Sequence, residues 1–348
     1  MEKRNIIVIG ASAGGFDAIK GLVGGLPPDL DASIFIVWHM SPDVTGVLPQ
    51  VLNRQKTIMA ANAIDNEPIV PNRIYVAPPD RHLVLEKGAV RVTRGPKENR
   101  FRPAVDPLFR SAAYCYGSRV IGIVLSGALD DGTAGLWTIK SRGGIAIVQD
   151  PEDAEVPSMP ENALQAVAVD YRVSVAQMSS LLIKLAAEEV EDVKEPDMDE
   201  HKKTALEVRI AMQDAALEKG ILQLGELSPY ACPECHGVLS VIKDGGIIRY
   251  RCHTGHAYSA DSLLTSITEG IEDTLWSAIR GVEESIILLN NLGDHYAEKN
   301  QPKLAALYFK KAAEAEARAK LVRQAVMKHE QLTTSSINAE AVSENGEE

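Results

Sequence analysis

The 348-residue sequence has no apolar run approaching the roughly eighteen residues that a membrane helix needs, which excludes an integral helical membrane protein. It has no G-x-G-x-x-G fingerprint. The glycines of IIVIGASAGG, residues 6–15, are followed by no Lys-Ser or Lys-Thr pair, so neither standard nucleotide loop is present. Its net charge of −12 is uneven: nineteen basic and nineteen acidic residues lie up to Ala186, against seventeen and twenty-nine beyond it. The second half therefore lacks the clustered Lys and Arg that nucleic acid requires. The strand pattern begins by Ile6, leaving no room for a leader, and a cytoplasmic location is expected. Cysteine is scarce as well. Three of the four, Cys232, Cys235 and Cys252, fall within 21 residues, and in a reducing compartment such clustering points to metal more than to disulfides.

What is present up to Ala186 is an alternation of short Ile- and Val-rich runs with helix-length stretches. IIVIG, SIFIVWHM, RIYVAPP, VIGIVLSG, GIAIVQD and YRVSV, bounded by glycine, aspartate or proline, suit buried parallel strands. The stretches between them predict an α/β doubly wound, mostly parallel sheet with helices on both faces. HLVLEKGAVRVTRG breaks the pattern and predicts a hairpin about Lys87-Gly88 at one edge. Its basic residues and those that follow, Arg91, Arg94, Lys97, Arg100 and Arg102, either face an acidic protein substrate or are simply solvated.

Three predicted strands end on residues with chemistry. Ser12 follows the first, His39 the second, and Asp130 and Asp131 follow VIGIVLSG. In an open parallel sheet the carboxyl ends of strands share one edge, where sites form. A serine, a histidine and an aspartate delivered there suffice for acyl transfer: a weak nucleophile, a base, and a carboxylate that orients it. Each has a plainer reading. Ser12 could cap the helix from Gly14 onward, His39 could be a satisfied strand-end histidine, and the LDDG acids could cap the helix near Thr133. Convergence favours chemistry.

In this order and spacing, GASAGG, WHM, RPAVDPLFRSAA, LSGALDDGTAG and QDPEDAEVPSMPENAL resemble the catalytic domain of CheB-type chemotaxis methylesterases, over roughly residues 5–185. The resemblance implies a serine esterase that hydrolyses glutamyl methyl esters on chemoreceptors or similar signalling proteins, with deamidation of glutamine in some members and no cofactor for catalysis. It places the nucleophile on Ser12, the base on His39 and the orienting acid on Asp131, with backbone N–H groups of Ala13 and Ala128 facing the oxyanion. There are two departures. Gly127-Ala128-Leu129 stands where the family commonly has G-M-G, and with four residues before Asn5 no receiver domain is expected to regulate the chain in cis.

Beyond Ala186 the charged segment 187–203 reads as a linker and 204–224 as a helix. CPECHG, followed after sixteen residues by YRCHTGH, has the spacing of a zinc ribbon with Cys232, Cys235, Cys252 and His256 as ligands. His236 and His253 each adjoin a ligand and bind the same metal awkwardly. Four protein ligands make the site structural, with no open position for water. The stretches 261–292 and 303–329 have apolar residues at steps of three and four and predict a helical hairpin that could dock a partner.

The expected domains are a catalytic unit 1–186, a linker 187–203, a helix and zinc-ribbon-like unit 204–258, a helical hairpin 259–331 and a disordered tail 332–348. The two halves are expected to be independent, with chelation melting the ribbon and sparing small-ester hydrolysis. Two competing functions are a catalytically weak scaffold acting through the acidic half and, more distantly, nucleotide binding.

Overall fold

The computed structural model describes residues 2–40, 47–190, 198–212, 220–221, 224–333, 336–337 and 340. Along the chain, β1 (Glu2–Lys3), β2 (Ile6–Ala11), α1 (Gly15–Gly24), β3 (Ser33–Trp38), α2 (Val47–Asn53), β4 (Met59–Asn62) and β5 (Arg73–Val76) lead into β6 (His82–Glu86) and β7 (Ala89–Thr93). Next come α3 (Val105–Tyr116), β8 (Val120–Val124), α4 (Thr133–Ser141), β9 (Ile145–Gln149), α5 (Ser158–Ala166), β10 (Tyr171–Val173), α6 (Val175–Ala186) and β11 (Glu189–Val190). The remainder comprises α7 (Met198–Ala211), β12 (Glu226–Ala231), β13 (Val238–Asp244), β14 (Ile247–Cys252), β15 (Ala257–Ser259), α8 (Ala260–Glu298) and α9 (Pro302–Met327).

Seven strands form one parallel sheet in the order β10-β9-β8-β2-β3-β5-β4. Side chains of a strand alternate between faces, and β2 shows why both faces must be covered. Ile7, Ile9 and Ala11 pack with α1, α2 and α6, whereas Ile6 and Val8 pack with α3, α4 and α5. The sheet is thus doubly wound, as its near-continuous Ile and Val runs require. The order turns at β2, with β3 on one side and β8 on the other, so a crevice opens beyond the carboxyl ends of these three strands.

The hairpin forms where expected, turning at Gly88 with φ 81°, but it is a separate two-stranded sheet over the α3 side and not an edge of the main one. Its apolar face is the reason, since Leu83, Leu85 and Val90 are fully buried in that core. The basic residues are paired: Arg91 with Asp65 and Glu86, Arg94 and Arg102 with Asp80, and Lys97 with Glu234.

The chain divides into two compact units, Met1–Leu263 and Leu264–Glu348. The first therefore contains the main sheet, α7 and the four-stranded antiparallel sheet β12-β13-β14-β15. The charged segment is more structured than its composition suggests. Glu189–Val190 pair with Glu2–Lys3, and α7 already begins at Met198, with Asp199 and Glu200 favourably placed in its first turn. Residues 191–197 of the expected linker, 213–219 and 222–223 of the expected helix, and most of 334–348 in the expected tail lie outside the described residues.

A buried charge cluster joins α7 and the small sheet to the rest of this unit. Glu98, Arg110, Glu207, Arg249 and Arg251 are each 4% exposed or less. Arg110 pairs with Glu98; Arg251 Nη2 lies 2.9 Å from both Glu98 and Glu207; and Arg249 makes a two-pronged pair with Glu207 at 2.7 and 2.9 Å. With Asp244, which pairs with Arg249, three guanidiniums meet three carboxylates. Burial pushes the carboxyls of Glu98 and Glu207 up, but the surrounding arginines outweigh it and hold both below their ordinary value of 4.5.

In the second unit, α8 and α9 form the predicted antiparallel hairpin. Tyr296 stacks on Tyr308 at 5.3 Å near the turn, and His329 Nε2 bonds the Thr268 carbonyl at 2.8 Å near the far end. No helix among the described residues is long and apolar enough to cross a membrane.

Breaking the buried cluster should cost far more than breaking a surface pair. Glu207→Ala is expected to destabilise the protein by about 3–5 kcal/mol in urea unfolding, and Lys97→Ala, which breaks a half-exposed pair, by ~1 kcal/mol or less. The contribution of Glu98 and Glu207 is complete above about pH 4.5 and is lost as pH falls through their depressed folded values. Glu207→Gln should therefore flatten the acid limb of the stability–pH curve.

Candidate active site and metal cluster

Ser12 lies one residue beyond β2, in a turn that sequence alone leaves ambiguous. It does not cap the helix: the N-cap of α1 is Gly14, in the left-handed region at φ 69°, with no side-chain cap. The Ser12 backbone is held on both sides instead, its N–H donating to the Ser126 carbonyl and its carbonyl accepting from Gly15 N and Trp38 Nε1, each at 3.0 Å. The hydroxyl is left for other work. Gly127 passes directly beneath it, since a Cβ there would lie 2.8 Å from Ser12 Cβ and 2.1 Å from Met159 Sδ. Ala128, the next residue, is exposed. Neither Ala13 N–H nor Ala128 N–H donates to a group among the described residues.

His39 lies one residue beyond β3, its N–H bonded to the Ala11 carbonyl at 3.0 Å. Its ring is stacked on Phe101 at 3.8 Å and 12°, and Nε2 lies 2.8 Å from Asp131 Oδ2. With Asp131 ionised, Nε2 carries the proton, which leaves Nδ1 as the basic nitrogen. Nδ1 is buried and has no hydrogen-bond partner among the described residues. Ser12, Ala13, His39 and Phe101 line one cavity of ≈ 580 Å³.

The two acids after β8 separate clearly. Asp131 is 1% exposed and accepts from His39, from Asn99 Nδ2 at 2.9 Å, and from Val105 N and Asp106 N at 2.7 and 3.2 Å at the start of α3. Burial pushes its carboxyl up, but these hydrogen bonds, led by that to His39, hold it below 3.8, so it is charged at neutral pH. Asp130 turns away and accepts from Ser259 Oγ at 2.6 Å. Burial pushes it up to about 7. Neither acid caps α4, whose N-cap is Gly132 with no side-chain bond. Asp106 behind Asp131 is likewise pushed up to about 7, by burial and then by the charge of Asp131.

The residue that sequence reasoning missed is Asn99. It is 4% exposed, has φ 49°, and gives its amide N–H groups to Asp131 and to Asp106, both at 2.9 Å. One signal existed: an asparagine in a turn-like KENRF stretch tolerates the left-handed backbone.

The cysteine cluster assembles as its spacing predicted. The ligand atoms of Cys232, Cys235, Cys252 and His256 all lie within 4.8 Å of one another. Cys235 Sγ to Cys252 Sγ is 3.6 Å, and His256 Nδ1 is 3.7 and 3.6 Å from the sulfurs of Cys232 and Cys252. Zinc–sulfur bonds of 2.3 Å in a tetrahedron give edges of roughly 3.8 Å, so the cluster is consistent with a structural zinc.

Residues 7–182 match the CheB methylesterase family, about half of the chain. The chain is 39% identical over 180 residues to a Leptospira interrogans protein provisionally named protein-glutamate methylesterase/protein-glutamine glutaminase, covering 51% of this chain and 93% of that one. A Photorhabdus laumondii protein-glutamate methylesterase/protein-glutamine glutaminase is 38% identical over 187 residues, 53% of either chain. The crystal structure of the Thermotoga maritima CheB methylesterase catalytic domain matches with a TM-score of 0.51 at 33% identity, covering 53% of this chain and all of that one. With strands, cavity and His39–Asp131 pair disposed as described, the chain belongs to the CheB methylesterase family.

Proposed function

We propose that this protein is a cytoplasmic serine esterase hydrolysing glutamate methyl esters on chemoreceptor-like signalling proteins to glutamate and methanol, and that it also deamidates receptor glutamines. The observation that supports this reading is the buried His39–Asp131 hydrogen bond, which leaves Nδ1 without a partner among the described residues, at the cavity that Ser12 and His39 line.

In the mechanism, His39 Nδ1 takes the Ser12 proton as Oγ attacks the ester carbonyl, forming the C–O bond of a tetrahedral intermediate. The backbone N–H groups of Ala13 and Ala128 donate to its oxyanion. Collapse expels methoxide, which leaves as methanol with the proton from His39. Water then gives a proton to Nδ1 and attacks the glutamyl–serine ester, and release of Ser12 returns that proton to Oγ. Asp131 orients the imidazole through Nε2–H and stabilises the imidazolium without taking the proton.

For the small sheet we propose one zinc per chain, bound by Cys232, Cys235, Cys252 and His256. All four positions are filled by protein atoms, so the metal supplies folding energy and takes no part in the chemistry.

Incubation of a methylated receptor panel, read by mass spectrometry, tests the activity. Wild type should release methanol and form a phosphonate adduct at Ser12, and Ser12→Ala and His39→Ala should do neither; the melting temperature should be nearly unchanged in Ser12→Ala and lowered in His39→Ala, where the buried Asp131 carboxylate loses a donor. A wild type inert in both assays would favour the scaffold reading. Asp131→Asn is expected to lower kcat by about 10⁴, because an amide permits the wrong histidine tautomer. Asp130→Asn should cost much less, and the reverse ranking would reassign the orienting acid. Elemental analysis of protein purified under reducing conditions should find about one zinc per chain, and its absence would remove the metal assignment.

A further inference from the structure

The cysteine cluster and the triad acid are connected by one short chain of hydrogen bonds within the first compact unit. His256 is followed by β15, whose first and last residues reach towards Asn99: Ala257 O accepts from Asn99 N at 2.8 Å, and Ser259 N donates to Asn99 Oδ1 at 2.9 Å. Ser262 Oγ reaches the same oxygen at 3.3 Å. The amide nitrogen of Asn99 then holds Asp131 and Asp106. Both amide protons and both oxygen lone pairs are used, and a flipped amide would set its oxygen against two carboxylates. Asn99 is therefore locked between the ribbon and the triad.

The cluster bears directly on the position of β15. This three-residue strand pairs with β14, which ends on the ligand Cys252, and bridges to Glu98, with Ala257 N donating to Lys97 O at 3.2 Å; it follows directly on the ligand His256. Its middle residue, Tyr258, places its hydroxyl 3.6 Å from the sulfur of a third ligand, Cys232. With metal bound, both ends of the β14–β15 turn are tied to one ion; without it, β15 keeps its ladder to β14 and its backbone bonds to residues 97–99, but the turn that leads into it loses its fixed point. Ser259 Oγ extends the contact to Asp130, so both aspartates after β8 are gripped from the ribbon side.

We infer that metal occupancy of the cysteine cluster sets the catalytic geometry, with Asn99 as the positioning residue that carries the position of β15 to Asp131. The inference rests on the esterase reading for its catalytic consequence but not for its structural one. It replaces the expectation of independent halves: the ribbon is a clamp on the active site, and an event that strips or oxidises the thiolates would slow the esterase without touching Ser12.

The test uses the full chain and follows zinc content, far-UV circular dichroism, small methyl-ester kinetics and the low-field proton resonance of the His39–Asp131 hydrogen bond. That resonance, assigned by its loss in His39→Gln, reports the coupling whether or not the protein is an esterase. In zinc-loaded wild type it should be sharp. Chelation, Cys235→Ser and Asn99→Ala should each shift or broaden it, and the loss of a hydrogen bond to a buried carboxylate should lower kcat roughly 10- to 100-fold with KM unchanged. Asn99→Ala should keep its zinc, and removing zinc from it should cost little more. The inference is overturned if zinc-free protein of native dichroism keeps both resonance and rate, or if zinc removal slows Asn99→Ala as much as wild type. Should chelation unfold the ribbon, Asn99→Ala decides alone, because an unchanged resonance in that zinc-loaded variant would also overturn it. A resonance that responds as expected in a protein releasing no methanol would refute the esterase and leave the coupling standing.

Discussion

A carboxylate that loses its water remains ionised only where donors replace that water, and Asp131 meets this condition with four. Burying such an ion costs several kcal/mol, while hydrogen bonds to a charged group return roughly 1.5–3 kcal/mol each, so the balance favours the charged form only if nearly all four are present. Each donor fixes a different part of the fold. Two belong to the first residues of α3, so that helix must begin where it does. One is the imidazole at the end of β3, and the last is Asn99, in a left-handed conformation that brings its loop under the ribbon. The site is thus the point at which sheet, helix and ribbon must agree.

The parts that were legible in the sequence are those in which a local pattern and the tertiary outcome coincide. β2, β3, β8 and β9 are Ile- and Val-rich and bounded by glycine or polar residues, and their ends carry Ser12, His39 and Asp131 to one edge. The four cysteine-cluster residues were legible because the cysteine spacing marks three of them, and His256 is the nearby histidine that does not adjoin another ligand. What was not legible is held by charge. The helix over 204–224 was read from the sequence, but not its first turn at 198–203, which was assigned to the linker, nor its most consequential contact, Glu207 with three arginines distant in sequence. Composition cannot show such a contact, because the same residues solvate a linker and neutralise a buried cluster. Asn99 was hidden for a related reason: one asparagine in a loop has no periodicity, and its importance depends on β15, some 160 positions later.

The buried cluster also shows what kind of attachment joins α7 and the small sheet to the rest of the first unit. An apolar interface could slide or re-pack, but three guanidiniums against three carboxylates have few alternative pairings, and any displacement leaves an ion without its partner. Electrostatics here contributes register more than net stability. The same register holds β14 and, through it, β15.

The stacking of Phe101 on His39 has a consequence of its own. An imidazole free to turn over about its Cβ–Cγ bond would offer Asp131 a ring carbon in place of Nε2 for part of the time. A parallel aromatic plane 3.8 Å away fills the volume through which the ring would have to swing. One phenylalanine therefore acts as a mechanical stop that preserves the identity of the two nitrogens.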